Sequence, residues 1–438
     1  MKAAVLSGWG RVPTVPGVEI RSENLAQLTR DLPLARGLGR AYGDAALPAP
    51  GDVTVAGTSL ADRILAFDPQ TGLLTAEAGL SLDHICRVFL ARGFFTPVTP
   101  GTRFVTVGGM VAADVHGKNH HRDGSFGQHV ESLTVRVGEG RIVPCSPTEN
   151  EDLFRATIGG MGLTGAILTV SFRLSRVPSP WIHEERRRIG SVDEFVDALK
   201  AAAPVWPMTV GWIDALTRGP HMGRGVLFCG RWAEAGEAPR HHPPPLSEIS
   251  LPVDFPESVL SPFTIRAFNA LTYRRYSAER HSGIVHPYTY FYPLDRIAHW
   301  TRMYGRRGFT QYQCVLPHAA GREAVHECFD LLTRSGGAFL GVIKDCGREG
   351  LGMLSFPMPG ISLALDIPMG DTTQALIDSM NELVIKAGGR IYLAKDALTR
   401  AEHFRAMEPR LDAFLAVRQR YDPARRIRSA QSVRLFGW

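Results

Sequence analysis

The sequence predicts a protein of two domains that mix strands and helices. Three observations carry that expectation. The chain has 438 residues, more than one simple hydrophobic core organises. Its first 175 or so residues alternate strand and helix patterns. The composition then shifts after "VPSP", residues 177–180.

Each element has a local reason. "LLTAEAG" (73–79) follows the turn sequence "DPQTG" and reads as a strand. "SLDHICRVFLARG" reads as a helix: the Ser81 hydroxyl can take a first-turn amide, and Gly93 accepts the left-handed turn that stops it. "ILTVSFRLSRV" (167–177) puts Val170, Phe172 and Leu174 on one face and Ser171, Arg173 and Ser175 on the other, a half-buried strand. Residues 234–262 are too rich in proline for regular structure and predict a long surface loop, mobile or acting as a lid. The following "FTIRAFNALTYRRYS" mixes four aromatic residues with three arginines. It reads equally as a basic helix lying on an anionic lipid surface or as a solvated helix on its own domain. Strands and helices resume in "FTQYQCVLP", "EAVHECFDLLTRSGG" and "GISLALDIP". A last long helix, about 372–387, turns Ile377, Met380 and Val384 inward and stops at Gly388–Gly389.

Composition excludes several classes. An apolar share of 44% and a charged share of 21% are those of a soluble globular protein. No run reaches the roughly 18 apolar residues that span a bilayer. The opening "MKAAVLSGWGRV" has one lysine and too short an apolar patch for a signal peptide, which predicts a cytoplasmic protein, with peripheral membrane contact compatible. The net charge of +6 suits anionic ligands or an anionic membrane surface; with no block of five or six consecutive basic residues, nucleic acid is not expected. The six cysteines form no CxxC-like pair and read as buried small hydrophobes.

The glycines carry the functional signal. "GMGLTG" (160–165) matches GxGxxG and "GLGRAYG" (37–43) nearly does. A nicotinamide-dinucleotide fingerprint needs an apolar strand directly before it and a helix directly after. The first motif follows a helix pattern and precedes a strand, and the second follows only "LPLA", so neither qualifies. A third segment, "TPGTRFVTVGGMVAADVHGKNHHRDGSFG" (99–127), repeats glycine at 101, 108, 109, 117, 124 and 127 among small and hydroxyl residues. Three such segments in one domain let main-chain N–H groups approach an extended, phosphate-bearing ligand.

Together, "RGLGRAYGD", "TPGT", "TVGGMVAADVHGKNHH", "GGMGLTGAI" and "YDPARRI" resemble the FAD-linked oxidases of the vanillyl-alcohol oxidase and p-cresol methylhydroxylase superfamily. The stretches "HGKNHH" and "LAKD" are similar to the branch that oxidises a decaprenyl-phosphoryl ribose, and the likeness runs from "SGWGR" through "GWIDAL", "FYPLD" and "QYQ" to "YLAKDALTRAEHFRAMEPRLDAF". The resemblance implies a two-domain α+β fold. Residues 1–179 and 390–438 would form a p-cresol-methylhydroxylase-type FAD-binding domain, and 180–389 a substrate domain on an antiparallel sheet.

The resemblance also implies a site. Arg36, Gly37, Leu38, Gly39, Arg40, Ala41, Tyr42, Gly43 and Asp44 would cradle the FAD pyrophosphate. Gly101, Thr102, Thr106, Val107, Gly108, Gly109, Ala113, His116, Gly117 and Asn119 would line the flavin, joined by Gly162, by Ile167 near the adenine, and by Tyr392. Covalently flavinylated relatives carry histidine where Arg40 stands, and arginine cannot form that bond, so FAD is expected to be non-covalent. Lys395 matches the lysine placed beside the flavin and the reacting hydroxyl; without that match it reads first as a surface lysine paired with Asp396. His116 is either a ring packed on the flavin or a proton carrier. His116, His120 and His121 would suggest a metal, but Lys118 and Arg122 among them argue against a cation site. Tyr42, Lys118, Gln311, Gln313, Lys344, Ser362, Ala364 and Lys395 match the sugar-pocket wall, with amides for hydroxyls and lysines for phosphate. Ala364 stands where relatives carry a cysteine, and Ser362 where they carry asparagine. The expected activity is oxidation of the 2′-hydroxyl of a polyprenyl-phosphoryl ribose, completed by a separate NADH-dependent keto-reductase in an epimerisation toward the arabinose donor of cell-wall polysaccharide. The alternative is a soluble aldonolactone or alditol oxidase.

Overall fold

The computed structural model describes residues 5–438. Met1–Ala4, where the leader argument begins, lie outside the described residues. One antiparallel sheet runs Ile142–Cys145, Val130–Arg136, Ala166–Arg173, Leu73–Glu77, Ile64–Phe67. The strand expected at 167–177 stops at Arg173. Beyond it Ser175–Arg176 changes partner and pairs with Phe94–Phe95. The helix after Leu73–Glu77 spans Leu82–Phe89, with the Ser81 hydroxyl accepting from the His84 amide, and it tightens through Leu90–Arg92 into Gly93 at φ 76°. A small parallel sheet of Val18–Arg21, Thr54–Gly57 and Ala35–Arg36 delivers the chain into the first glycine loop.

An eight-stranded antiparallel sheet occupies the middle of the chain. Its order is His281–Val285, Ile182–Ile189, Gly225–Trp232, Met208–Ile213, Leu340–Cys346, Gly360–Pro368, Phe309–Pro317, Arg390–Ile391. Helices Val192–Ala202, Gly321–Arg334 and Thr373–Lys386 bury their apolar stripes against it; Ile377, Met380 and Val384 all face inward.

Strand periodicity decides what the other face carries. Leu363, Leu365, Tyr312 and Cys314 belong to the core, and the Tyr312 hydroxyl bonds Asn381 on the last long helix at 3.0 Å. One residue on, the alternating set turns the opposite way. Register places Gln313 beside Ala364 and Val342, Gln311 beside Asp366 and Leu340, and Ser362 beside Lys344. The polar residues of three neighbouring strands therefore share one face.

The 234–262 segment is mostly irregular, as its prolines dictate. It nevertheless holds a two-residue strand, Ile249–Ser250, parallel to Ile297–Ala298, and a helical turn at Glu257–Leu260. A 14-residue helix, Pro262–Arg275, follows. After the large sheet the chain returns to its beginning. Arg434 donates to Asp44 at 2.7 and 2.9 Å and to Asp396 at 2.7 Å, and the Ala430 amide bonds the Leu47 carbonyl. All six cysteines are free and buried.

Candidate active site

A cavity of about 960 Å3 opens between the glycine-rich loops and the polar face of the large sheet. From the first loop it takes Gly37, Leu38, Gly39, Arg40, Ala41 and Tyr42. The long glycine segment gives Gly101, Thr102, Thr106, Gly108, Gly109, Ala113, His116, Gly117 and Lys118, and later segments give Gly162, Ile167, Tyr392 and Lys395. The large sheet adds Gln311, Gln313, Lys344 and Ala364.

Six residues expected in the site stand behind the wall instead. Val107 is wholly buried in the core. Asp44 is taken by Arg434. The Arg36 guanidinium donates to the carbonyls of Ser7 and Ala46, locking the turn in which Gly39 sits at φ 63°. Gly43 packs so closely on residues 396–397 that a Cβ would lie 2.0 Å from the Asp396 carbonyl oxygen. Asn119 donates to the Pro97 carbonyl and to Asp123. The Ser362 hydroxyl bonds Gln313 at 3.2 Å. Each shapes the wall from outside.

The loops suit a nucleotide. Among the described residues, no main-chain N–H from Gly37 to Ala41 donates to protein. A Cβ built on Gly101 or Gly162 meets nothing within 4 Å, and on Gly109 only the Thr106 hydroxyl at 3.1 Å. Side chains there would occupy the cavity; glycine leaves a smooth floor with free donors, the chemistry an extended pyrophosphate needs. The Arg40 guanidinium carbon lies over the Trp9 ring, 3.8 Å from its centre, and its Nε donates to the Phe104 carbonyl at 2.9 Å.

Three buried amines line the cavity, Lys118 from the long glycine segment, Lys344 from the large sheet and Lys395 after Tyr392. Burial pulls the Lys395 ammonium down from 10.5 to about 7; Asp366 opposes the fall and Lys344 adds to it. Burial takes Lys344 to about 8 and Lys118 to about 7. Lys395 sits 3.8 Å from the centre of the Tyr42 ring, while Lys118 donates to the Tyr290 carbonyl. Lys344 Nζ approaches His116 Nδ1 at 3.0 Å and the Gln313 amide lies 3.0 Å from Nε2. Burial first, then Lys344, His120 and Lys395, hold His116 well below its usual range, so the ring is neutral. His120 Nδ1 accepts from the Gly347 amide and His121 Nε2 faces the Trp206 carbonyl. The three histidines thus turn to separate partners.

Reading the sequence missed Asp366. It is fully buried, accepts from the Tyr304 hydroxyl at 3.0 Å and from Gln311, and Gln311 also donates to the Tyr42 hydroxyl at 3.3 Å. Burial raises its carboxyl above the usual range. The available signal was an acid inside the apolar run "GISLALDIP" on the same alternation as Ala364. Asp366 stands behind Gln311 and outside the cavity lining, whereas Glu184 and Asp295 do line it and gave no comparable signal.

Residues 25–146 match the FAD binding domain family. Over 95% of this chain and 94% of the relative, the sequence is 35% identical to the decaprenylphosphoryl-beta-D-ribose oxidase of Mycolicibacterium smegmatis. The chain belongs to the decaprenylphosphoryl-β-D-ribose oxidase family. A Streptomyces coelicolor protein, uncharacterized, in the mprA 5′ region, is 31% identical over 79% of this chain and 96% of its own. The D-arabinono-1,4-lactone oxidase of Yarrowia lipolytica shares 27% over only 41% of this chain and 35% of its own. Like other members, the chain is an FAD-dependent oxidoreductase with a two-domain α+β fold.

Proposed function

We propose that this chain oxidises the 2′-hydroxyl of a polyprenyl-phosphoryl ribose to the 2′-keto sugar. The observation that carries the reading is a buried lysine whose charge is depressed into the neutral range, facing the cavity beside Tyr42 and Gln311. Bound FAD supplies the hydride acceptor. Lys395 Nζ takes the hydroxyl proton, which an amine titrating near neutrality does efficiently. Gln311 and Gln313 hold the neighbouring ribose hydroxyls, and Lys344 and Lys118 receive the phosphate charge. His116, neutral and bonded through both ring nitrogens, positions the wall. Residues 37–42, 101–117, 162, 167 and 392 hold the cofactor, non-covalently because Arg40 offers no attachment point.

In this reading residues 1–179 and 390–438 serve the cofactor and 180–389 the substrate. The product passes to a separate NADH-dependent keto-reductase, completing an epimerisation toward an arabinose donor for cell-wall polysaccharide, at the cytoplasmic face of a membrane that holds the prenyl chain.

The test is anaerobic bleaching of the flavin across prenyl-phosphate sugars and free sugars. Reduction by a prenyl-phosphoryl ribose but not by free aldonolactones or alditols supports the assignment. The opposite order makes the chain a soluble sugar oxidase.

A further inference from the structure

One rim of the cavity is a helix whose outward face has no protein partner among the described residues. In Pro262–Arg275, Ile265 and Asn269 point inward, and Asn269 donates to Asp214 at 2.9 Å, which fixes the helix to the sheet. Phe268 and Thr272, with Tyr276 just beyond, line the cavity mouth. The opposite side shows Phe263 at 80% exposure and Leu271 at 69%, with Arg266, Arg274 and Arg275 exposed around them. Upstream, Ile249 and Val253 are exposed as well. Between Glu257 and Glu279 the sequence contains no acid, so this stretch carries only positive charge.

We propose that this face docks on an anionic lipid bilayer, with Phe263 and Leu271 entering the headgroup region and the three arginines resting on lipid phosphates. An apolar wedge ringed by cations and free of acids suits the negative surface and shallow apolar zone of a membrane. A protein partner of ordinary mixed charge would leave those arginines unmatched. Since no helix among the described residues is long and apolar enough to cross a bilayer, the contact is a surface one. Its place at the rim sets the cavity mouth against the lipid. The face serves the prenyl-phosphate substrate proposed above, and its lipid binding is measured with no substrate present.

The holoenzyme is sedimented with vesicles of phosphatidylglycerol and phosphatidylcholine, with pure phosphatidylcholine vesicles as the control. It should follow the anionic vesicles and leave the neutral ones. Phe263→Ser with Leu271→Ser should weaken partitioning on the order of tenfold. Arg274→Gln and Arg275→Gln should each weaken it about fivefold and flatten its salt dependence. Flavin content and melting temperature should hold in all variants, because the changed side chains are exposed. The proposal is overturned if the native protein ignores anionic vesicles, or if the serine variant binds them equally well. It is also overturned if that variant instead abolishes a self-association seen without lipid.

Discussion

The Lys395 ammonium rests 3.8 Å from the centre of the Tyr42 ring, and the Tyr42 hydroxyl is held at 3.3 Å by Gln311, which also donates to buried Asp366. Lysine and carboxylate are thus joined across the wall by one amide and one aromatic ring. Lys395→Ala should keep bound, yellow FAD and slow anaerobic flavin reduction roughly 10^3-fold. Near-normal reduction in a stopped-flow trace would remove Lys395 from the chemistry.

Asp366 tunes this lysine. Its negative charge favours the ammonium, so losing it lets the amine deprotonate at lower pH. Flavin reduction, which needs the neutral amine, should rise through about pH 7 in the native enzyme. In Asp366→Asn the midpoint should move to lower pH by roughly half a unit or more. Tyr304→Phe, which removes one of the carboxylate's donors, should shift it the same way by less. A fall in amplitude at an unmoved midpoint would assign Asp366 a packing role only.

Lys118, Lys344 and Lys395 bind protons less readily folded than at their ordinary 10.5. Between about pH 7 and 10.5 the unfolded chain therefore holds more protons on them, and stability rises with pH. Below pH 7 all three are charged in both states and their burial cost is present in full. The melting temperature of the apoprotein should climb from pH 7 to pH 9, the interval those three shifts define. A triple Lys→Met variant should flatten that slope, and an equal slope in the variant refutes the assignment.

Gly109 is the sharpest probe of the cofactor floor. A Cβ there meets only the Thr106 hydroxyl, so the apoprotein should tolerate Gly109→Val with little change in melting temperature. FAD titration should show affinity reduced at least roughly tenfold, because the new methyls occupy the flavin's space. Native protein denatured in acid should release its flavin to the supernatant; flavin staying with the chain contradicts the reading of Arg40.

Ala364 lines the cavity while all six cysteines are buried. The folded native protein should resist N-ethylmaleimide, whereas Ala364→Cys should take up a single equivalent that bound substrate blocks. Mass spectrometry reads both outcomes. Labelling of the native chain under folding conditions would show that a core cysteine is reached.

Much of this was legible from local rules. The Ser81 cap, the Gly93 stop, the inward Ile377, Met380 and Val384, and the two-residue alternation of 170–174 each depend on neighbours close along the chain. The glycine loops announced a nucleotide for the same reason, since a backbone that must approach phosphate has to shed its side chains there. Residues 175–176 were assigned to the wrong strand because a partner 80 residues upstream takes them, which no local pattern encodes.

By itself the sequence determined where most helices and strands begin, which residues alternate inward, and that the glycine loops suit an anionic nucleotide. Only the tertiary structure decided which polar residues meet. Asp366 and Gln311 are 55 positions apart, and Asp44 and Arg434 are 390 apart. Their energies depend on register between distant strands and on burial from water, and both exist only once the chain has closed.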